Sequence, residues 1–443
     1  MDDLTLDLNP LPPPAPLVAP PPGFGEVALG DNITAPAPFD RGKAVRYSVA
    51  NLGASVIYSL FNFGMPLYLS TYPLPPALIG LLANERSFVG AFIQPLVGRL
   101  SDRTRTRFGR RRPFFLVGIP LMSGALLALA THPPLWAVLA IMAIAAFFLS
   151  VAWDPYIALM ADLFTPTQRG RVGGLLGVGS ALGTIIFLLI ALNLWEHNEF
   201  LVFLLCIGLL VLTWAYTFFT VQEPPLSADV LSEPRPKGRP DPVAYFKSLA
   251  KYPEAAKYTL AVNFFWVGTG GALPFITLFA VKALGASEQE AFILPLMATV
   301  TNALFAVPAG FLADRFSKKA VMTGGMLLFG SAGLIGSQSQ NLLQATIILG
   351  VIGIGNAAMA QVNPMITDLV PRKRTAEFIG LISAVFSFAQ PIGSVLAGVV
   401  VTIATGMVGG SAAYRWTFIF SGAMVLLAAA CLQLVKPERA VLD

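Results

Sequence analysis

Charge is scarce in this chain, and where it occurs it is crowded. Only 12% of the residues are Asp, Glu, Lys or Arg, about half the share of a soluble domain. Cysteine is rarer still. Cys206 and Cys431 both sit inside apolar runs, which excludes a disulfide framework and any Cys/His metal spacing. The two histidines, His132 and His197, lie at the ends of apolar runs, with no second ligand or nucleophile nearby in sequence. No glycine-rich loop follows a strand pattern. The pairs Gly173/Gly177 and Gly179/Gly183 fall inside one apolar helix, where they read as packing residues. Metal, nucleotide and triad chemistry therefore find no carrier, and neither an enzyme nor a bound cofactor is expected.

What is abundant is apolar surface. Hydrophobic residues make up 55% of the chain and 32 residues are Phe, a composition whose natural solvent is lipid. Crossing a bilayer takes about 20 mostly apolar helical residues. Twelve segments qualify: 47–70, 77–98, 113–131, 135–161, 170–193, 199–220, 257–283, 289–312, 319–338, 342–366, 375–404 and 415–436. The prediction is an all-α membrane protein of twelve transmembrane helices in two six-helix bundles, 45–220 and 257–436, joined by a linker at 221–256. Residues 1–44 are proline-rich ("NPLPPPAPLVAPPPGFG") and predict a disordered tail; no signal-peptide pattern opens the chain. Residues 437–443 form a short C-terminal tail.

The crowded charge is "SDRTRTRFGRRRP", six arginines between 101 and 113. With the N-terminus cytosolic, all of the 29 Lys and Arg residues except Arg86, Lys282 and Arg415 fall in cytosolic segments. A bias that lopsided predicts an inner or plasma membrane protein with both termini inside. The arginine run then sits in a loop too short to fold as a nucleic-acid module.

The halves repeat. "GRLSDR" (98–103) returns as "GFLADR" (310–315), and "ADLFTPTQR" (161–169) as "TDLVPRKR" (367–374). Parallel repeats of this kind place a substrate site near the midplane between the halves. The Gly-x-Leu-x-Asp-Arg loop after the second and eighth spans resembles the loop signature of the major facilitator superfamily. The longer "QPLVGRLSDRTRTRFGRRRPF" (94–114) and "WDPYIALMADL" (153–163) resemble its sucrose-carrier branch, within the glycoside–pentoside–hexuronide:cation symporters. That resemblance implies alternating-access transport of a sugar or glycoside by a monomer, with a proton as the coupling ion. Positions where melibiose-type relatives carry sodium-binding acids hold Gly90 and Gln94 here, and the helix-4 acid of plant sucrose carriers falls at Ala146. Two other readings stand beside it: an exporter or antiporter of another small organic solute, and a non-transporting assembly or pigment-handling factor on the same fold.

Candidate residues follow from chemistry. Asp102 and Asp314 end the second and eighth spans; each carboxylate suits a helix N-terminus of the opposite half, worth about 0.3–1 kcal/mol. Arg103, Arg110, Arg111, Arg112, Arg169, Arg315 and Arg374 are placed to pair with Asp162 and Asp368, while Gly98 and Gly310 allow close backbone approach. Together they form either a gating latch or a set of topology anchors. Ionisable groups within a span are functional candidates. Asp154, roughly 12 Å deeper than Asp162 at 1.5 Å per residue, precedes Pro155 and is a coupling acid or a buried anchor. Glu85 is the second coupling candidate, and Arg86 a substrate contact. Neutral polar stripes come from Asn51, Tyr58 and Asn62 on the first span and Asn356, Gln361 and Asn363 on the tenth. Asn263, Trp266 and Gln390 add donors and a stacking face. They read either as a substrate wall or as interhelical glue.

The topology is directly testable. In a Cys206→Ser, Cys431→Ser background, single cysteines at Arg235 and at Ser411 should react with impermeant reagents from opposite sides of the membrane. Labelling of position 235 from outside sealed cells would overturn the orientation.

Overall fold

The computed structural model describes residues 39–223, 251–371 and 375–439. Proline and glycine shape its helices. The first, α1 (Arg41–Ser70), passes through a π turn at Leu60–Gly64, just before Pro66. Pro66 has no N–H to give, and its ring clashes with the carbonyl one turn back; a wider turn relieves both. The equivalent helix of the second half, α7 (Pro253–Leu284), is interrupted by a 3-10 turn at Leu273–Phe275 around Pro274. The two interruptions pack on one another, so the sequence repeat reappears as a pair of matched helix breaks.

Between them lie α2 (Pro76–Ala83 and Glu85–Arg103, broken at Asn84), α3 (Pro113–Leu129), α4 (Leu135–Leu163), α5 (Pro166–Leu194) and α6 (Glu199–Thr220). The second half continues with α8 (Glu290–Arg315), α9 (Lys318–Gly336), α10 (Leu342–Ile366), α11 (Thr375–Val408) and α12 (Ala412–Gln433). Among the described residues, ten helices are long and apolar enough to cross a membrane. The shorter α3 and the broken, charge-bearing α2 complete the twelve predicted spans. Arg41–Asp443 cluster as one unit.

Within the first half α1 packs on α5 and α6, and α3 on α4; within the second, α7 packs on α11 and α12, and α8 on α10. Small residues set these distances. A Cβ at Gly183 would sit 2.3 Å from the Leu52 carbonyl oxygen, and Gly179 also faces α1. Gly173 and Gly177 face open space, so only the second glycine pair serves helix approach here.

The halves join at the end of the bundle opposite the termini. A Cβ at Gly80 would lie 2.5 Å from the Ser394 carbonyl oxygen, and one at Gly398 2.5 Å from the Ala77 Cα. Asn84 donates to the Ser394 hydroxyl at 2.7 Å, which donates to the Gly270 carbonyl at 2.7 Å. Thr277 donates to the Phe63 carbonyl at 3.0 Å. At the terminal end, ion pairs formed among the described residues stay within one half.

Candidate functional site

Two sites emerge, one at mid-height and one at the terminal end. The first is a cavity of about 400 Å³ lined by both halves, within the usual size of small-molecule sites, about 300–1,000 Å³. Of the sequence candidates, Tyr58, Asn62, Trp266 and Asn356 line it. Asn356 donates its amide to Asn302 on α8 at 3.1 Å, and Asn62 donates to the Tyr58 carbonyl at 2.9 Å. Among the described residues, none that lines it is Asp, Glu, Lys, Arg or His. Ser421 on α12 also lines the cavity, and its buried hydroxyl has no hydrogen-bond partner among the described residues.

Asn51, placed on the same α1 stripe by its spacing, faces elsewhere. Its amide donates to the Leu176 carbonyl at 2.7 Å and to the Ser180 hydroxyl at 2.8 Å, tying α1 to α5. Gly179 and Gly183 bring α5 that near, so the lower part of the stripe is consumed as interhelical glue. Gln361 is buried in the 3-10 turn Ala358–Gln361, and Asn363 is exposed. Asn263 is half-buried and Gln390 packs its backbone on Gly270; none of these four lines the cavity. Asn302, Thr299, Thr184 and Ser180 do line it, and sequence reasoning did not select them. The polar pair Thr299 and Asn302 inside an apolar span was the available signal.

Asp154 is half-buried in α4 beside Pro155 and is not among the cavity-lining residues. Its neighbour Trp153 lies edge-on to Tyr58, ring centroids 5.8 Å apart. The side chains of Glu85 and Arg86 lie outside the described residues, as does Arg374.

The second site is the arginine loop. Its three consecutive arginines take separate partners. Arg110 bonds Asp162 at 2.6 Å and approaches Glu223 at 3.3 Å. Arg111, only 7% exposed, holds Asp162 at 2.6 Å, Asp102 at 3.1 Å and the Ser101 hydroxyl at 3.2 Å. Arg112 donates to the Phe218 carbonyl and lies over the Phe218 ring, 4.4 Å from its centroid. Burial pulls the Arg112 pKa below its ordinary value, and the Glu223 charge opposes that shift. Glu223 also accepts the backbone N–H groups of Arg110 and Arg111 at 2.9 and 3.0 Å. Gly109 makes this possible: its φ of +102° is a region that a side chain disfavours, and a Cβ would sit 2.3 Å from the Glu223 carboxylate. Glu223 was not selected from sequence, although it is an acid just past the sixth span, on the side of the basic loop.

The remaining latch candidates are dispersed in this arrangement. Arg169 caps the carbonyls of Ala161 and Phe164 at the end of α4, both at 3.2 Å. Asp368 pairs with Lys318 at 2.6 Å. Arg103, Asp314 and Arg315 are exposed. A Cβ at Gly98 would meet nothing within 4 Å, and at Gly310 the nearest atom is Gln361 Nε2 at 4.0 Å. Asp102 meets Arg111 of its own half, and among the described residues no ion pair at this end joins the two halves.

Repeated halves, mid-height neutral cavity and membrane-length helices define a multi-pass membrane transporter. The chain belongs to the Major Facilitator Superfamily, whose family model matches residues 47–299 and 258–442. It is 22% identical over 331 residues to the uncharacterized MFS-type transporter MJ1317 of Methanocaldococcus jannaschii, covering 72% of this chain and 78% of that one. It is 29% identical over 136 residues to the inner membrane transport protein YajR of Escherichia coli, 30% of this chain and only 29% of that one. A 57-residue stretch, 13% of this chain and 7% of the relative, is 49% identical to the human proton-associated sugar transporter A. The fold aligns with a bacterial homologue of the human lysosomal transporter Spinster, in its inward-facing, unoccupied conformation. The TM-score is 0.70, with 16% identity, 89% of this chain and 95% of that one covered.

If Glu223 anchors the arginine loop, Glu223→Ala should destabilise the purified protein by about 1–3 kcal/mol, the usual cost of unmet buried groups. Arg103→Ala, on the exposed face of the same loop, should stay within about 0.5 kcal/mol. Thermal unfolding in detergent compares the two; equal shifts would sink the anchor.

Proposed function

We propose that the chain is a secondary active transporter of a sugar or glycoside, of the sucrose-carrier type, working by alternating access with a proton as the coupling ion. The observation that carries this reading is the cavity chemistry. Asn62, Asn302 and Asn356 offer amide donors and acceptors, Trp266 and Tyr58 offer ring faces, and among the described residues no charged group lines the wall. An uncharged, polyhydroxylated solute satisfies such a lining; an ion would enter it unpaired, at a cost of several kcal/mol. The local likeness to a proton-associated sugar transporter supports the same solute class. Positive-inside bias puts the basic loops, and with them both termini, in the cytosol. The joined end is then the outer one, and the described arrangement is inward-facing.

A second reading, an exporter of an amphipathic organic solute, draws on the opposite part of the wall. Phe63, Phe329, Ile352 and Phe418 give the cavity an apolar side, which suits a solute with one greasy face.

Uptake into proteoliposomes decides between them. A panel of neutral sugars and glycosides under separately imposed proton and sodium gradients should show accumulation driven by protons, with Asn356→Ala raising KM about tenfold. Asp154→Asn should abolish uphill accumulation while sparing exchange down the solute gradient. Accumulation by Asp154→Asn would pass the coupling role to Glu85. Flux only of amphipathic compounds would favour the second reading, and no flux at all a non-transporting role.

A further inference from the structure

At the outer end, the turn between α5 and α6 bonds the start of α8. The chain enters α8 through Ser287-Glu288-Gln289-Glu290. The Ser287 hydroxyl accepts the Glu290 N–H at 3.1 Å, and the Glu290 carboxylate accepts the Ser287 N–H at 3.1 Å. This is a reciprocal capping box. A helix start leaves several N–H groups without an intrahelical partner, and the box satisfies neither Glu288 nor Gln289. Both are met from the other half of the molecule. Glu196 Oε1, in the turn between α5 and α6, accepts the Glu288 N–H at 2.6 Å and the Gln289 N–H at 3.4 Å.

The residues on either side of Glu196 reinforce the same junction. Trp195 donates its indole N–H to Glu288 at 3.1 Å, and its ring lies 5.2 Å from that of Phe292. His197 Nδ1 and the Gln289 amide are 3.1 Å apart. Trp195 is 3% exposed and Phe292 fully buried, so the apolar part of the clasp is dry, whereas Glu196 lies exposed at its rim. Directly below, the cavity wall includes Ala181 and Thr184 of α5.

We propose that Glu196 is the latch of the outer gate: it completes the amino-terminal cap of α8 from the opposite half, and the outer end opens only when it lets go. Two properties fit a latch better than a fixed brace. The carboxylate is at the solvent rim, so both it and the freed N–H groups exchange partners with water when the gate opens. The bond is also charge-assisted, and therefore stronger than a neutral contact of the same geometry, yet it depends on one side chain. The carboxylate-on-helix-start arrangement, expected from sequence at the basic-loop end, is thus found at the other end and with a different acid.

This inference rests on alternating access but not on the identity of the solute, and its test uses none. In a Cys206→Ser, Cys431→Ser background, Ala181→Cys in the cavity wall is a reporter that an impermeant maleimide reaches from outside only when the outer gate is open. Adding Glu196→Ala should raise the labelling rate about tenfold. Glu196→Gln, which keeps an oxygen acceptor without the charge, should give an intermediate rate. Glu199→Gln should stay within about twofold of the parent, because Glu199 pairs with His132 inside its own half. A general loosening would lower the melting temperature and accelerate all three variants alike, and that pattern overturns the latch. So does a Glu196→Ala rate equal to that of the parent.

Discussion

The backbone seam between the first part of α2 and the helices α7 and α11 is the contact on which the rest of this molecule depends. Gly80 and Gly398 let the chains come within distances that no side chain tolerates. Asn84, Ser394 and the Gly270 carbonyl then run a hydrogen-bonded chain through three helices. In lipid there is no water to replace such bonds, so a seam made of small residues and satisfied polar groups holds well without being greasy. It joins the two halves at one end of the bundle in this arrangement, and it must part together with the Glu196 contact when that end opens.

The terminal end has the opposite design. Its charges are many, and among the described residues each half pairs them within itself: Arg110 and Arg111 share Asp162, Glu223 pins the loop backbone, and Lys318 holds Asp368. Loops braced in this way approach the other half as preformed bodies. Asp314 and Arg315, exposed here on the second half, are groups that a closing motion would bring toward them. Three adjacent arginines are needed because three different jobs lie within reach: a carboxylate pair, a buried centre, and the open carbonyl at the end of α6.

Much of this was legible in one dimension. Helix positions follow from apolar runs of membrane length, whereas the paired breaks near Pro66 and Pro274 emerge only in the fold. The repeated Asp-Arg loops mark the ends of α2 and α8. Partner choice was less legible, since it is set by the approach of helices distant in sequence. Asn51 and Asn62 share a stripe, yet α5 takes the first and the cavity the second. Arg169 was expected at Asp162 and instead satisfies the carbonyls at the end of its own neighbouring helix. Glu223, Lys318 and Asn302 carry no motif; each matters only through the residue that folding brings to it. Glu196 is the clearest case, because its partners are two backbone N–H groups with no side-chain signature at all.

The central claim is that the halves move as two bodies about the cavity, so that closing one end opens the other. Pulsed spin–spin distance measurement addresses it with two label pairs in the same membrane-reconstituted protein. One pair, Thr167 and Phe316, spans the terminal end; the other, Phe200 and Gln340, spans the opposite end. With a transported solute bound and as pH is varied, the account predicts that populations exchange in opposite senses, the terminal distance shortening as the opposite one lengthens. Two distances that lengthen together, or one that changes while the other stays fixed, would contradict it.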